Sequence, residues 1–229
     1  MLADSLMRRS ILCVEDSEQD RERVRGALSA FDLTFAESAG AALRAFNSGA
    51  FDGYVLEYWL SDWTGHALCR ELRKSDPHTP VTFYTRARAE PHRAKAMRAG
   101  ATDFFMKSET EPASLAAYLA DVFRAADSAN LNARVEAGRA IADELRSRLG
   151  EVEGSMAREQ LLMNRALERS VRAKAMQVFF EHRGTKAHFE RAWPQLFASA
   201  RAEALTLDEG ASRQSAPSSR GSDPGFIGV

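Results

Sequence analysis

Cysteine, charge of one sign and long apolar runs are all scarce in this chain of 229 residues. Of its two cysteines, Cys13 lies in an apolar run and Cys69 in a predicted helix, which favours buried, reduced thiols over a disulfide framework or a metal cluster. The net charge of -1 provides no overall attraction to nucleic acid or to an anionic membrane. Residues 1–9 hold no apolar run long enough for a signal peptide or a membrane span. We therefore expect a cytoplasmic protein.

A short apolar run that ends in an acid is the most informative stretch of the chain. Residues 54–56 (Tyr-Val-Leu) are too few for a helix, and they lie between Asp52-Gly53 and a polar loop that ends at Gly65. This pattern predicts a buried parallel strand. Glu57 follows directly, at the carboxyl end of the strand, where open α/β sheets form their sites.

The segment around Glu57 resembles the phosphoacceptor segment of bacterial response-regulator receiver domains, the CheY-like family. Further stretches resemble that family in the expected order: residues 11–17, which contain the acidic pair Glu15 and Asp16, residues 81–85, which end in Thr85, and residues 99–107, which end in Lys107. The resemblance covers residues 8–126. It implies an α/β fold, with a five-stranded parallel doubly wound (βα)5 sheet.

The resemblance also implies site roles, which fall on Glu57 as the phosphoacceptor equivalent, Glu15 and Asp16 as the acidic pair, Thr85 and Phe104 as switch residues, and Lys107 as the family's lysine. In the family, the acidic pair and the phosphoacceptor bind Mg²⁺, so Glu15, Asp16 and Glu57 are the candidate metal ligands. The longer side chain of Glu57 counts against that ligand geometry. A histidine kinase and a downstream regulator are the implied partners.

The phosphoacceptor of the family is Asp, and this chain has Glu57 instead. The extra methylene moves the carboxylate by roughly 1.5 Å, whereas in-line phosphoryl transfer tolerates little misplacement. We therefore predict that phosphorylation is lost, or that the charge of Glu57 imitates it. The opposite reading is a receiver that still accepts phosphate, with Lys107 and Thr85 stabilising the charge.

Each candidate also has a purely structural interpretation. Glu15 and Asp16 could cap the first helix, Lys107 could be an ordinary lysine or pair with Glu57, and Phe104 could be a core residue. Trp59 and Trp63 supply neither a proton nor a nucleophile. We expect these two residues to serve in packing or in an interface.

Helical periodicity continues beyond the fifth strand and predicts an all-α extension. The rhythm of a coiled coil runs through Leu131, Val135, Gly138, Ala142, Leu145, Leu149, Val152 and Met156 and breaks near Gly154, which permits a helical hairpin instead. Further helices are expected over residues 156–181 and after Thr185. In the latter, Phe189, Trp193, Leu196 and Phe197 share a stripe that must dock on the preceding helices, which we favour, on a dimer mate or on a partner. We divide the chain into a receiver-like domain (8–126), a helical extension for dimerisation or partner binding (127–207) and a disordered tail (208–229).

The leading functional hypothesis is an atypical response regulator in phosphorelay signal transduction. Its output would be protein–protein interaction through the helices, as a homodimer, and we expect no enzymatic activity because no catalytic motif follows the receiver. The alternative is a DNA-binding transcriptional regulator that uses Arg158, Arg165, Arg169 and Arg172. Three of these arginines recur at intervals of seven, although acidic residues are nearly as numerous there.

Overall fold

The computed structural model describes residues 8–88, 90–152 and 154–214. Its first half alternates strands with helices: β1 (Ser10–Val14), α1 (Glu18–Ala27), β2 (Asp32–Ala36), α2 (Ala39–Ser48), β3 (Gly53–Leu56), α3 (Gly65–Arg73), β4 (Val81–Thr85), α4 (Glu90–Arg98) and β5 (Asp103–Met106). The strands are all parallel and lie in the order β2-β1-β3-β4-β5. The predicted doubly wound sheet is confirmed.

The central strands are buried on both faces because helices cover the two sides of the sheet. Every residue of β3 and β4 is buried, as expected for strands that read as continuous apolar runs. In β1 the side chains alternate between two cores: Leu12 and Val14 pack beneath α2 and α3, and Ile11 and Cys13 pack towards α1 and the next helix along the chain. This arrangement brings the carboxyl ends of the strands together at one end of the sheet.

The second half is entirely helical, as predicted: α5 (Pro112–Gly150), α6 (Ser155–Leu162), α7 (Arg165–Glu181) and α8 (Lys186–Gln214). Helix α5 is continuous through the predicted domain boundary at residue 126 and therefore belongs to both halves. The helix predicted over residues 156–181 is divided in two, and the side chain of Asn164 begins α7 by accepting a hydrogen bond from the Ala166 amide at 2.7 Å. No helix among the described residues is both long and apolar enough to cross a membrane.

The predicted disordered tail overlaps with helix α8. Helix α8 passes through Pro194 without ending and continues to Gln214, so residues 208–214 of the predicted disordered tail are helical. Residues 215–229 lie outside the described part of the chain.

The helices of the second half fold into one bundle, in which α5 packs against α7 and α8. Its buried positions include Ala133, Ala137 and Ile141, which repeat at intervals of four. Leu131 and Val135, from the predicted coiled-coil seam, are instead 59% and 47% exposed. The seam differs from the prediction because small alanines allow helices to approach closely, whereas the heptad pattern was read mainly from larger side chains.

The bundle is attached to the sheet at the amino ends of the strands. Arg191 of α8 forms an ion pair with the buried Asp52, which precedes β3, with 2.6 Å between Nη2 and Oδ1. Lys186 lies over the ring of Phe46, with 3.9 Å from Nζ to the ring centroid. Both contacts lie away from the carboxyl ends of the strands.

Candidate functional site

Four predicted site residues meet at the carboxyl end of the sheet. Glu15 follows β1, Glu57 follows β3, Thr85 ends β4 and Lys107 follows β5. Both glutamates are buried, at 5% and 6% exposed, and Thr85 is fully buried. Because burying an unpaired carboxylate is strongly unfavourable, the partners of these two acids determine what the site can do.

The ammonium of Lys107 bonds to three carboxylates at once. Its Nζ lies 2.8 Å from Asp20 Oδ2 and 2.8 Å from Glu57 Oε2, and it also contacts Glu15 Oε2. The Lys107 side chain is only 10% exposed. One buried cation therefore serves as the centre of an acidic cluster.

Both oxygens of Glu57 are occupied by hydrogen bonds. Oε1 accepts from the Tyr58 amide at 2.6 Å, from the Trp59 amide at 3.3 Å and from the Thr85 hydroxyl. Oε2 accepts from the lysine described above and from the Arg86 amide at 3.3 Å. The carboxylate is thus held by main-chain amides of the segments that follow β3 and β4 and by two side chains.

Asp20 belongs to the site, although it is not among the residues predicted from the sequence. It lies in the first turn of α1, is 3% exposed, and bridges Lys107 to Arg86, whose Nε is 2.9 Å from Asp20 Oδ2. The predicted acidic partner Asp16 is exposed instead, and its main-chain carbonyl accepts from Arg21 at 3.0 Å. A helix that follows a strand directly points its first turn at the sheet end, which is the signal that could have identified Asp20.

The pKa shifts reflect one shared charge network. Burial raises the pKa of Glu15, and the hydrogen bond from Lys107 offsets only part of that effect. For Asp20, burial is outweighed by hydrogen bonds from Arg86 and Lys107, which lower its pKa. For Lys107, burial is outweighed by the charge of Glu57 and by hydrogen bonds to the three acids, so its pKa is raised. At neutral pH the lysine is therefore firmly charged.

The proposed Mg²⁺ ligands Glu15, Asp16 and Glu57 do not form a metal-binding set. Asp16 is exposed, and the Lys107 ammonium lies between the other two and satisfies them. Within the part of the chain that the structure describes, no three His, Cys, Asp or Glu side chains are arranged to hold a metal ion. These residues fit an internal ammonium better than a divalent cation.

The aromatic candidates have different environments. Phe104 is 5% exposed and stacks on Phe83, with 5.8 Å between ring centroids, as its core interpretation requires. Trp59 and Trp63 are 54% and 44% exposed, so neither is a core residue. Of the two predicted roles of these tryptophans, packing and interface, only the interface role agrees with their exposure.

Comparison with known proteins identifies the first half of the chain. The family described as response regulator receiver domain matches residues 11–119. The response regulator protein FleR of Pseudomonas aeruginosa is 31% identical over 103 residues, which cover 44% of this chain and 22% of that protein. The response regulator MprA of Mycolicibacterium vanbaalenii is 29% identical over 99 residues, which cover 42% of this chain and 43% of that protein. The transcriptional regulatory protein TrcR of Mycobacterium tuberculosis is 30% identical over 99 residues, which cover 42% of this chain and 38% of that protein.

Solved structures align with the same half. The BeF3-activated DrrB receiver domain is 24% identical, has a TM-score of 0.48, and is covered over 99% of its length by 52% of this chain. The chemotaxis response regulator CheY4 of Vibrio cholerae is 21% identical, has a TM-score of 0.45, and is covered over 99% by 51% of this chain. The chain spans between 22% and 43% of the length of the three curated relatives. Because residues 11–119 match this family and contain the parallel five-stranded sheet, they form a response regulator receiver domain.

Proposed function

We propose that this protein acts in two-component signal transduction as an atypical response regulator whose site works without phosphorylation. The observation that carries the proposal is the complete occupation of Glu57, whose two oxygens accept hydrogen bonds from Lys107, Thr85 and main-chain amides. A built-in carboxylate then supplies permanently part of the charge that a phosphoryl group would add.

The same geometry opposes nucleophilic attack by Glu57. In-line phosphoryl transfer needs a free carboxylate oxygen with an open approach to the donor. Oε1 already accepts three hydrogen bonds, and Oε2 is directed at the buried Lys107 ammonium. The longer side chain therefore turns a reactive group into a structural one.

We propose that the output is protein–protein interaction through the helices, without an enzymatic step, and that the chain works as a homodimer. The matched relatives bear the names of response regulators and of a transcriptional regulator, but the matches cover less than half of each of those proteins. In this chain the bundle of α5, α7 and α8 takes the position that follows the receiver. Two exposed apolar side chains of α5, Leu131 and Val135, are available for contact with a second copy or with a partner.

Exposure of the protein to a small phosphodonor and Mg²⁺ tests the loss of phosphorylation. We expect the intact mass to remain unchanged, because Glu57 has no free oxygen for attack. The matched variant is Glu57→Asp, which removes one methylene: gain of a phosphoryl group by this variant alone assigns the loss to side-chain length. Addition of one phosphoryl group to Glu57 in the unmodified protein would contradict the proposal.

DNA binding by the arginine-rich helices is the second candidate. The predicted common face does not exist, because Arg158 lies on α6 and the other arginines lie on α7, beyond a helix break. Arg172 is paired with Glu190 of α8, which leaves Arg165 and Arg169 exposed one turn apart.

We predict no measurable binding of duplex DNA in fluorescence anisotropy even at low salt, because two exposed arginines neutralise too few phosphates. Binding that falls steeply with added salt, and that is lost on the double substitution Arg165→Ala and Arg169→Ala, would establish the DNA-binding alternative.

A further inference from the structure

The loop between β3 and α3 presents two tryptophans to solvent beside the receiver site. Trp59 is 54% exposed and Trp63 is 44% exposed, whereas Trp193, in the bundle, is only 7% exposed. Tryptophan is a large side chain that contributes strongly to interfaces, and leaving two of them in water forgoes burial energy. Their exposure in one short loop calls for a functional explanation.

The loop is ordered by its own hydrogen bonds. The Asp62 carboxylate accepts from the amides of Ala39 and Gly40 at 2.9 and 3.0 Å, which fastens the loop to the start of α2. The Leu60 amide donates to the Trp63 carbonyl at 3.1 Å, and Trp59 forms a bridge with Thr64. The two indoles are therefore displayed on a preorganised backbone, which reduces the entropy lost when a partner binds.

Trp59 packs against other aromatic rings. It packs edge-on against His92 of α4, with 5.2 Å between centroids, and against the buried Tyr58 at 5.0 Å. Tyr58 in turn stacks on His66 of α3 at 5.3 Å. A continuous aromatic base thus extends from the loop across α3 and α4.

The surroundings of this aromatic base are positively charged. Arg70 lies one turn after His66 on α3, and Lys95 lies one turn after His92 on α4, so each cation is on the same helix face as a ring of the base. Both residues are exposed, and neither forms an ion pair within the described residues. Two cations without acidic partners beside two exposed indoles create a surface that is apolar at its centre and positive at its rim.

We propose that Trp59, Trp63, Arg70 and Lys95 form a docking surface, the tryptophan surface, for an acidic segment of a partner protein. Apolar side chains of that segment would cover the indoles, and its carboxylates would meet Arg70 and Lys95. The side chains of this surface form none of the contacts that hold Lys107 and Glu57 together, although the Trp59 amide donates to Glu57.

Fluorescence anisotropy with two labelled peptides tests the tryptophan surface. The probe is a synthetic peptide of Glu and Asp interspersed with Leu and Phe, and its counterpart has Lys in place of every acid. We expect the acidic peptide to bind and the basic one not to bind. Trp59→Ala and the double charge reversal Arg70→Glu with Lys95→Glu should each weaken binding by about tenfold or more. Met156→Ala, an exposed apolar substitution on α6, is the matched control and should bind as the unmodified protein does.

Three results would overturn the proposal. Equal binding of both peptides would show that charge plays no part, and undiminished binding by Trp59→Ala would show that the indoles play none. A single-stranded oligonucleotide that binds more tightly than the acidic peptide, and loses affinity on Trp59→Ala, would make this a nucleic-acid surface. Because all the substituted side chains are exposed, circular dichroism should show an unchanged fold, so loss of binding is interpretable.

Discussion

Lys107→Ala should lower the free energy of unfolding by about 3–5 kcal/mol at neutral pH, the range found when one partner of a buried ion pair is removed. The substitution leaves the carboxylates of Glu15, Asp20 and Glu57 close together. The more exposed Arg86 and Arg23, which both pair with Asp20, then compensate them incompletely. Denaturant unfolding followed by circular dichroism measures the change.

Lys74→Ala is the matched control for this prediction. Lys74 also forms an ion pair, with Glu71, but its side chain is 66% exposed. Its removal should cost less than about 1 kcal/mol, since exposed ion pairs contribute little. An equally small loss in Lys107→Ala would mean that the three acids do not depend on the lysine.

The stability of the unmodified protein should also fall at alkaline pH for the same reason. The pKa of Lys107 in the folded protein is raised. The stabilisation that Lys107 provides is therefore complete below the ordinary lysine pKa of about 10.4 and is lost as pH rises through the folded pKa. In Lys107→Ala this contribution is absent. The difference in stability between the two proteins should therefore shrink above about pH 10.4, and a constant difference would contradict the assignment.

Asp52→Ala should lower the free energy of unfolding by about 2–4 kcal/mol and loosen the bundle from the receiver domain. The Asp52 carboxylate is 6% exposed and accepts from Arg191, from Arg9 and from the Ser10 amide. The expected loss of stability is smaller than that for Lys107→Ala because the Arg191 side chain is 32% exposed, and partly exposed ion pairs contribute less. Denaturant unfolding should become biphasic as the two halves separate, which circular dichroism and tryptophan fluorescence would detect at different midpoints.

Asp127→Ala provides the control for the bundle attachment, because Asp127 also pairs with Arg9 but is 44% exposed. Asp127→Ala should retain a single transition.

The pKa of Asp52 is lowered because Arg191 outweighs the effect of burial. The stabilisation that Asp52 provides is therefore present above the ordinary pKa of about 3.9 and is lost as pH falls through the folded pKa. A single unfolding transition in Asp52→Ala would show that the bundle does not need this ion pair.

The receiver sheet could be predicted because its local signals agree with its tertiary structure. Short apolar runs such as residues 54–56 and 81–85 can be buried only as strands between helices, and their carboxyl ends place Glu57 and Thr85 together. Thr85 and Lys107 were identified through the resemblance to receiver domains, which assigned their roles. Strand order thus conveys which residues meet at the sheet end.

The direction of side chains on neighbouring helices could not be predicted in this way. Asp20 joins the site, and Asp16 does not, because the rotation of α1 is set by packing of Val24 and Leu28 against the sheet, which no local pattern expresses. In the bundle, the alanines of α5 carry the close helix contacts, although alanine is a weak signal in a periodicity argument. Where the sequence pattern allows more than one arrangement, tertiary packing therefore determines which side chains are buried.

The most direct test of the central claim is a backbone amide NMR spectrum of the protein before and after addition of Mg²⁺ and a phosphodonor. If Glu57 and Lys107 hold the site in a fixed state, the amides of Tyr58, Arg86 and Lys107 should keep their chemical shifts. Large shifts of these amides, reversed when the donor is removed, would show a site that still responds to phosphorylation and would contradict the account.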